Sequence, residues 1–80
     1  MLSFDYTLCG YNNNDIFYGA CKKIEQAILD IKKEKLLIDV DDSLLQKYIL
    51  DGKRIIVQND FEVGAVYIQS DIDLSALFTQ

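Results

Sequence analysis

The run Asp39-Val40-Asp41-Asp42-Ser43 puts three carboxylates and a hydroxyl into five positions. Side chains of these types at this spacing could bind a hard cation, supply a nucleophile with an acid/base, cap a turn or helix, or meet a basic partner. A calcium loop does not fit. With Asp39 in first place the sixth position is Leu44 instead of Gly, and the twelfth is Leu50 instead of Glu. A magnesium site from Asp39, Asp41, Asp71 and Asp73 would be chemically permissible but unspecific. The chain has no His, which excludes His-based acid/base catalysis and Ser-His-Asp triads. Cys9 and Cys21 lack zinc or redox spacing and an identifiable base, so reduced, partly buried thiols are expected. No metal and no cofactor is expected.

The apolar residues leading into Asp39-x-Asp41-Asp42-Ser43-Leu44 resemble the first motif of the haloacid-dehalogenase-type phosphatases. That resemblance implies Asp39 as a nucleophile forming an aspartyl-phosphate, Asp41 as acid/base, and Mg²⁺ dependence. It also implies a doubly wound parallel sheet, a downstream Lys and later acids, for which Asp71 and Asp73 would have to serve. Only 37 residues follow Ser43, too few for several βα units of about thirty residues each. A phosphatase-like enzyme is therefore the remote alternative, and a non-enzymatic role is expected.

The elements that would position these residues follow from hydrophobic period. Leu2, Phe4, Tyr6 and Leu8 alternate with Ser3, Asp5, Thr7 and Cys9, the period of a half-buried strand. Gly10 and Tyr11-Asn12-Asn13-Asn14 supply a turn and helix caps. An amphipathic helix is expected over 15–35, with Phe17, Cys21, Ile24, Ile28 and Ile31 on one stripe and Ala20 and Ala27 beside it. Residues 36–40 read as a short strand. Residues 43–50 read two ways. A helix capped by Ser43 and Gln46 is preferred, because 44/45 and 48/49 pair at helical spacing; the alternative is a strand of a type I′ hairpin about Asp51-Gly52. Two further strands, 53–58 and 61–69, are expected about an Asn59-Asp60 turn, with Gly64 marking a bulge. Residues 70–78 read as a short capped helix or a docked edge segment. The expected fold is α+β: a small single domain over residues 1–80, with one amphipathic helix on a mostly antiparallel sheet of about four strands and one or two short helices.

Charge bounds the function. The net charge is −5, and it is unevenly placed. Residues 1–35 carry five acids and five bases, whereas residues 36–80 carry eight acids against Lys47, Lys53 and Arg54. Such a balance opposes contact with nucleic-acid phosphates and favours a basic protein partner. No apolar run approaches the roughly 18 residues of a membrane span, so a soluble, cytoplasmic protein is expected, with no membrane partner. The contact candidates are Asp39, Asp41, Asp42, Asp60, Glu62, Asp71 and Asp73, with Tyr48 and Tyr67 as aromatic anchors. Phe4-Asp5-Tyr6-Thr7-Leu8-Cys9-Gly10-Tyr11 is similar to the openings of some small immunity proteins of bacterial toxin systems. That resemblance implies an inhibitor that covers a cognate toxin, such as a nuclease. The alternatives are a phage or regulatory adaptor using the same surface, and a homodimer joined through an edge of the hairpin strand.

Overall fold

The computed structural model describes residues 3–78. The first strand, β1 (Phe4–Cys9), carries the alternation inward through Phe4 and Tyr6 and then breaks it. Its register against its neighbour shifts between Thr7 and Cys9, so Leu8 and Cys9 both pack against the core. Leu2, expected on the same face, lies outside the described residues.

The helix α1 (Asn14–Ala27) starts where the asparagines predict. Asn13 is its cap, its side chain accepting the Ile16 N–H at 3.1 Å, and Phe17, Ala20, Cys21 and Ile24 are buried. It ends well short of residue 35, and Ala27 is exposed. Lys32–Lys33 form β2 instead, antiparallel to Tyr48 and Ile49. The neighbouring strand presents unpaired backbone groups there, and filling them outweighs local helix propensity. The Glu34 N–H reaches Lys47 O at 3.0 Å, and the Gln46 amide reaches Glu34 O at 2.6 Å.

After the two-residue β3 (Leu37–Ile38), residues Leu44–Leu50 are a strand, β4, which corrects the preferred helix. Asp51 and Gly52 both have positive φ, 51° and 79°, and join Leu50 directly to Lys53. That is the type I′ geometry whose twist suits a hairpin. The helical look of 44–50 has a simple cause. Leu44, Gln46 and Tyr48 are buried while Leu45 and Ile49 lie on the other face, so apolar residues occupy both faces and a buried Gln interrupts the alternation.

The strands β5 (Lys53–Asp60) and β6 (Ala65–Ser70) form the next hairpin. Asn59 and Asp60 belong to the ladder, opposite Val66 and Ala65, so the turn is Phe61–Gly64 rather than Asn59-Asp60. Gly64 closes it at φ 76°, its N–H bonded to Asp60 O at 2.8 Å. It is a turn residue, not a bulge in a strand.

The sheet is six-stranded, in the order β1-β6-β5-β4-β2, with β3 also on the outer edge of β4. All its pairings run antiparallel, and it holds more strands than the four expected. The chain crosses one face through α1, from the β1 edge to the β2 edge, and buries Ile55, Val57, Val66, Ile68 and Tyr48 beneath it. The last described residues make one turn rather than a helix, with the Leu77 and Phe78 N–H groups on Leu74 O. Because β5 and β6 are paired on both sides, neither offers an edge to a second copy; among the described residues the edges of the sheet are β1 on one side and the two-residue β2 and β3 on the other.

Tyr48 is fully buried, so it has no surface to offer a partner. Its hydroxyl donates to Glu25 Oε2 at 2.5 Å, which holds the Glu25 carboxyl below its ordinary range. Glu25 also meets Lys33 at 3.2 Å, a contact exposed enough to be worth little. Removing the hydroxyl with Tyr48→Phe should lower unfolding free energy by about 1.5–3 kcal/mol, the usual range for a hydrogen bond to a charged group, measured by urea denaturation. Burial raises the ionisation of Tyr6, Tyr48 and Tyr67 above the ordinary 10.0. The folded chain therefore holds these protons longer than the unfolded one. Their contribution to stability is complete below pH 10 and declines as pH climbs toward the folded values, so urea midpoints should fall between pH 9 and pH 11 by an amount that Tyr48→Phe reduces.

Candidate functional site

Two turns meet at one end of the sheet. In the first, Asp39 N–H donates to Ser43 O at 2.9 Å and Asp42 N–H to Asp39 O at 3.0 Å. The carboxylate run is thus the tip of the β3–β4 hairpin, not a strand end leading into a helix. Asp42 takes φ 68°, a left-handed conformation that Asp tolerates better than most residues because its short side chain can bond locally. Asp39 Oδ1 accepts the Val40 N–H at 2.7 Å, and Asp41 Oδ1 accepts the Ser43 N–H at 3.0 Å. The second turn hangs on Asp60. Its Oδ1 accepts from the Glu62 and Val63 N–H groups at 2.9 and 3.3 Å, and its Oδ2 from the Tyr67 hydroxyl at 3.1 Å.

The turns are fastened to each other and to the helix start. The Phe61 N–H donates to Ser43 Oγ at 2.9 Å. Asn59, fully buried, accepts from the Asn12 amide at 2.8 Å and donates to Asn14 Oδ1 at 2.7 Å. The Asn12 amide also reaches Asp60 O at 3.0 Å. The asparagine cluster that reads as cap chemistry therefore does a second job, holding the β5–β6 turn against α1.

Between the turns lies a concavity of about 420 Å³. Leu37, Ile38, Leu44 and Leu45 give it apolar walls, and Asp39, Asp41, Asp60 and Glu62 surround them, with Ser43 and Gln58. The Ser43 N–H and hydroxyl hold the Asp41 carboxyl below its ordinary range, so its charge is secure at neutral pH. Of its walls Leu37 and Ile38 are exposed, and so are Val40, Phe61 and Val63 on the two turns, Val40 completely. Phe61 faces a separate shallow concavity with Asn12, Asn13, Asn14 and Asp15. Large apolar side chains left in water are rare elsewhere among the described residues: only Tyr11, Tyr18 and Leu29 are comparably exposed.

Of the residues singled out from sequence, four converge here: Asp39, Asp41, Asp60 and Glu62. Asp42 shares their turn but does not line the concavity, and Tyr67 reaches it only through Asp60. Asp71 does not join them. It sits at the other end of β5 and β6, where its Oδ2 accepts from the Arg54 N–H at 3.1 Å and lies 3.5 Å from Arg54 Nε. Asp73 is also elsewhere, accepting from the Ser75 N–H at 2.9 Å and the Tyr6 hydroxyl at 3.1 Å beside β1. The four-Asp magnesium set is therefore not assembled. Among the described residues no three His, Cys, Asp or Glu side chains are grouped so as to share a metal ion. The antiparallel sheet is likewise not the parallel scaffold that the phosphatase resemblance implies. Cys9 and Cys21 are free thiols, and burial raises that of Cys21.

Sequence reasoning missed the apolar walls of the concavity, Leu37, Ile38, Leu44 and Leu45, and the exposed turn next to it. Phe61 and Val63 look like strand residues until the turn is placed, and only Gly64, three residues after Phe61, signals it.

Turn strain and carboxylate ionisation make two checks. Asp42→Val should cost about 1–2 kcal/mol through the left-handed backbone, whereas Asp42→Gly should cost nothing, in denaturant titrations of both variants. The carboxyls of Glu25, Asp41, Asp71 and Asp73 all titrate lower in the fold than ordinarily, Glu25 chiefly through the Tyr48 hydroxyl and the aspartates chiefly through backbone N–H groups. Their contribution is full above the ordinary values, 4.5 for Glu and 3.8 for Asp, and is lost as pH falls through the depressed ones. Thermal midpoints should therefore be flat from pH 7 to pH 5 and drop steeply below pH 4. In comparison with known proteins, no protein-family model, curated sequence or solved structure matches this chain.

Proposed function

We propose that the chain is a protein-binding inhibitor whose turn end receives a basic segment of its partner, most concretely an immunity protein that neutralises a bacterial toxin such as a nuclease. The observation that carries this reading is the concavity with four carboxylates and apolar walls that include the exposed Leu37 and Ile38, with Val40, Phe61 and Val63 exposed on the adjoining turns. Apolar contact supplies affinity where water is excluded, and the carboxylates select a cationic partner and speed its approach. Asp39 and Asp41 each hold the turn with Oδ1, and their second oxygens can accept from an incoming Lys or Arg. The turns are tied by Ser43 and the asparagines, so little ordering is needed on binding, which limits its entropic cost. The net charge of −5 adds long-range steering toward a basic groove.

The test is complex formation with the product of the neighbouring gene, expressed with and without this chain. The wild-type chain should protect cells and bind with an association rate that falls as salt rises. Combining Asp39→Lys, Asp41→Lys and Glu62→Lys should weaken binding at least a hundredfold with the fold retained. Protection and affinity untouched by the triple charge reversal would rule the reading out.

A further inference from the structure

The helix covers only one face of the sheet, and the other face is continuous with the concavity. Alternation and register define that face. Leu45, Gln58 and Tyr67 form one cross-strand row, Lys47, Ile56 and Gln69 the next, and Ile49 and Arg54 a third. Ile56 stands opposite Lys47 and is thus diagonal to both Leu45 and Ile49, within reach of side-chain contact. All of these residues are partly exposed. Leu37, opposite Leu45, carries the apolar strip into the concavity, which Leu45 and Gln58 also line.

Two constraints choose what could cover this strip. An added strand would extend an edge of the sheet, at β1 or at the two-residue β2 and β3, and would leave this face uncovered. The width does suit a helix: strands about 4.8 Å apart place β3 and β6 about 14 Å from each other, close to the 10–12 Å diameter of an α-helix with its side chains. Charge sets the direction. Asp39, Asp41, Asp60 and Glu62 lie at the turn end of the strip, whereas Lys47, Arg54 and Lys32, opposite Ile49, lie toward the other end.

Resting on the inhibitor reading above, we propose that the open sheet face seats an amphipathic helix of the partner, its apolar stripe on Leu45, Ile49, Ile56 and Tyr67 and its cationic end in the concavity. The face would then be sandwiched as its opposite is by α1.

A probe can stand in for the partner: an 18-residue Lys/Leu peptide with leucines at helical spacing, titrated into isotope-labelled chain and followed by amide chemical shifts. The expected result is shifts along β4, β5 and β6 as well as in both turns. Binding should weaken at least tenfold in Ile56→Lys, whose own amide spectrum verifies its fold. A Glu/Leu peptide of the same pattern, and a Lys/Leu peptide scrambled to remove the stripe, should bind at least tenfold more weakly. Shifts confined to residues 37–43 and 60–64, with Ile56→Lys unaffected, would overturn the helix seat and leave the inhibitor reading standing. Equal binding of the scrambled peptide, or no binding of the patterned one, would also overturn it. So would sedimentation as a dimer with this face protected, which would make a second copy the occupant.

Discussion

Asn59 is an amide with no exposed surface on the buried face of β5, and an unsatisfied polar group there would cost about 1–3 kcal/mol. Its partners are Asn12 and Asn14, more than forty positions earlier, at the start of α1. This one requirement fixes the distance between the helix start and the end of β5. The β5–β6 turn follows, because Asn12 also bonds Asp60 O. The β3–β4 turn follows in its turn through the Ser43 hydroxyl. The concavity is thus framed by backbone that side-chain hydrogen bonds hold in place, most of them part-buried.

The acids around it have two roles that need not compete. Asp39, Asp41 and Asp60 each accept backbone N–H groups and so build the turns they decorate. An Asp in such a position needs no functional explanation, since side chains of this type favour turns by mimicking backbone bonds. What turn chemistry does not account for is the company they keep. Five exposed apolar side chains, two on the short β3 and three on the turns, lose hydrophobic free energy in the isolated chain, and that cost is what gives the proposed binding surface its weight.

Much of the architecture is readable from residue order. The inward alternation of β1, a helix start among the asparagines and its buried stripe, the β5–β6 hairpin and the α+β class all follow from period and cap chemistry. Reading failed where two faces or two elements competed. Leu44–Leu50 has apolar residues on both faces and a Gln facing inward, so its period is ambiguous until the Asp51-Gly52 turn is given priority. Lys32 and Lys33 carry helix-compatible residues but are recruited by the open edge of β4. Val63 and Phe61 imitate a strand because their exposure breaks the rule that apolar means buried.

By itself the sequence determined the elements with a single period, the absence of His, and the acidic excess of residues 36–80. Those depend on neighbours within a few positions or on composition. Only the tertiary structure decided which acids stand together. Asp39, Asp41, Asp60 and Glu62 meet because β3, β4 and β5 pair side by side and turn at the same end, whereas Asp71 and Asp73 are carried to other parts of the sheet by six residues of β6. Strand register and hairpin placement are long-range properties, set by which backbone groups find partners, and no local count of charges contains them.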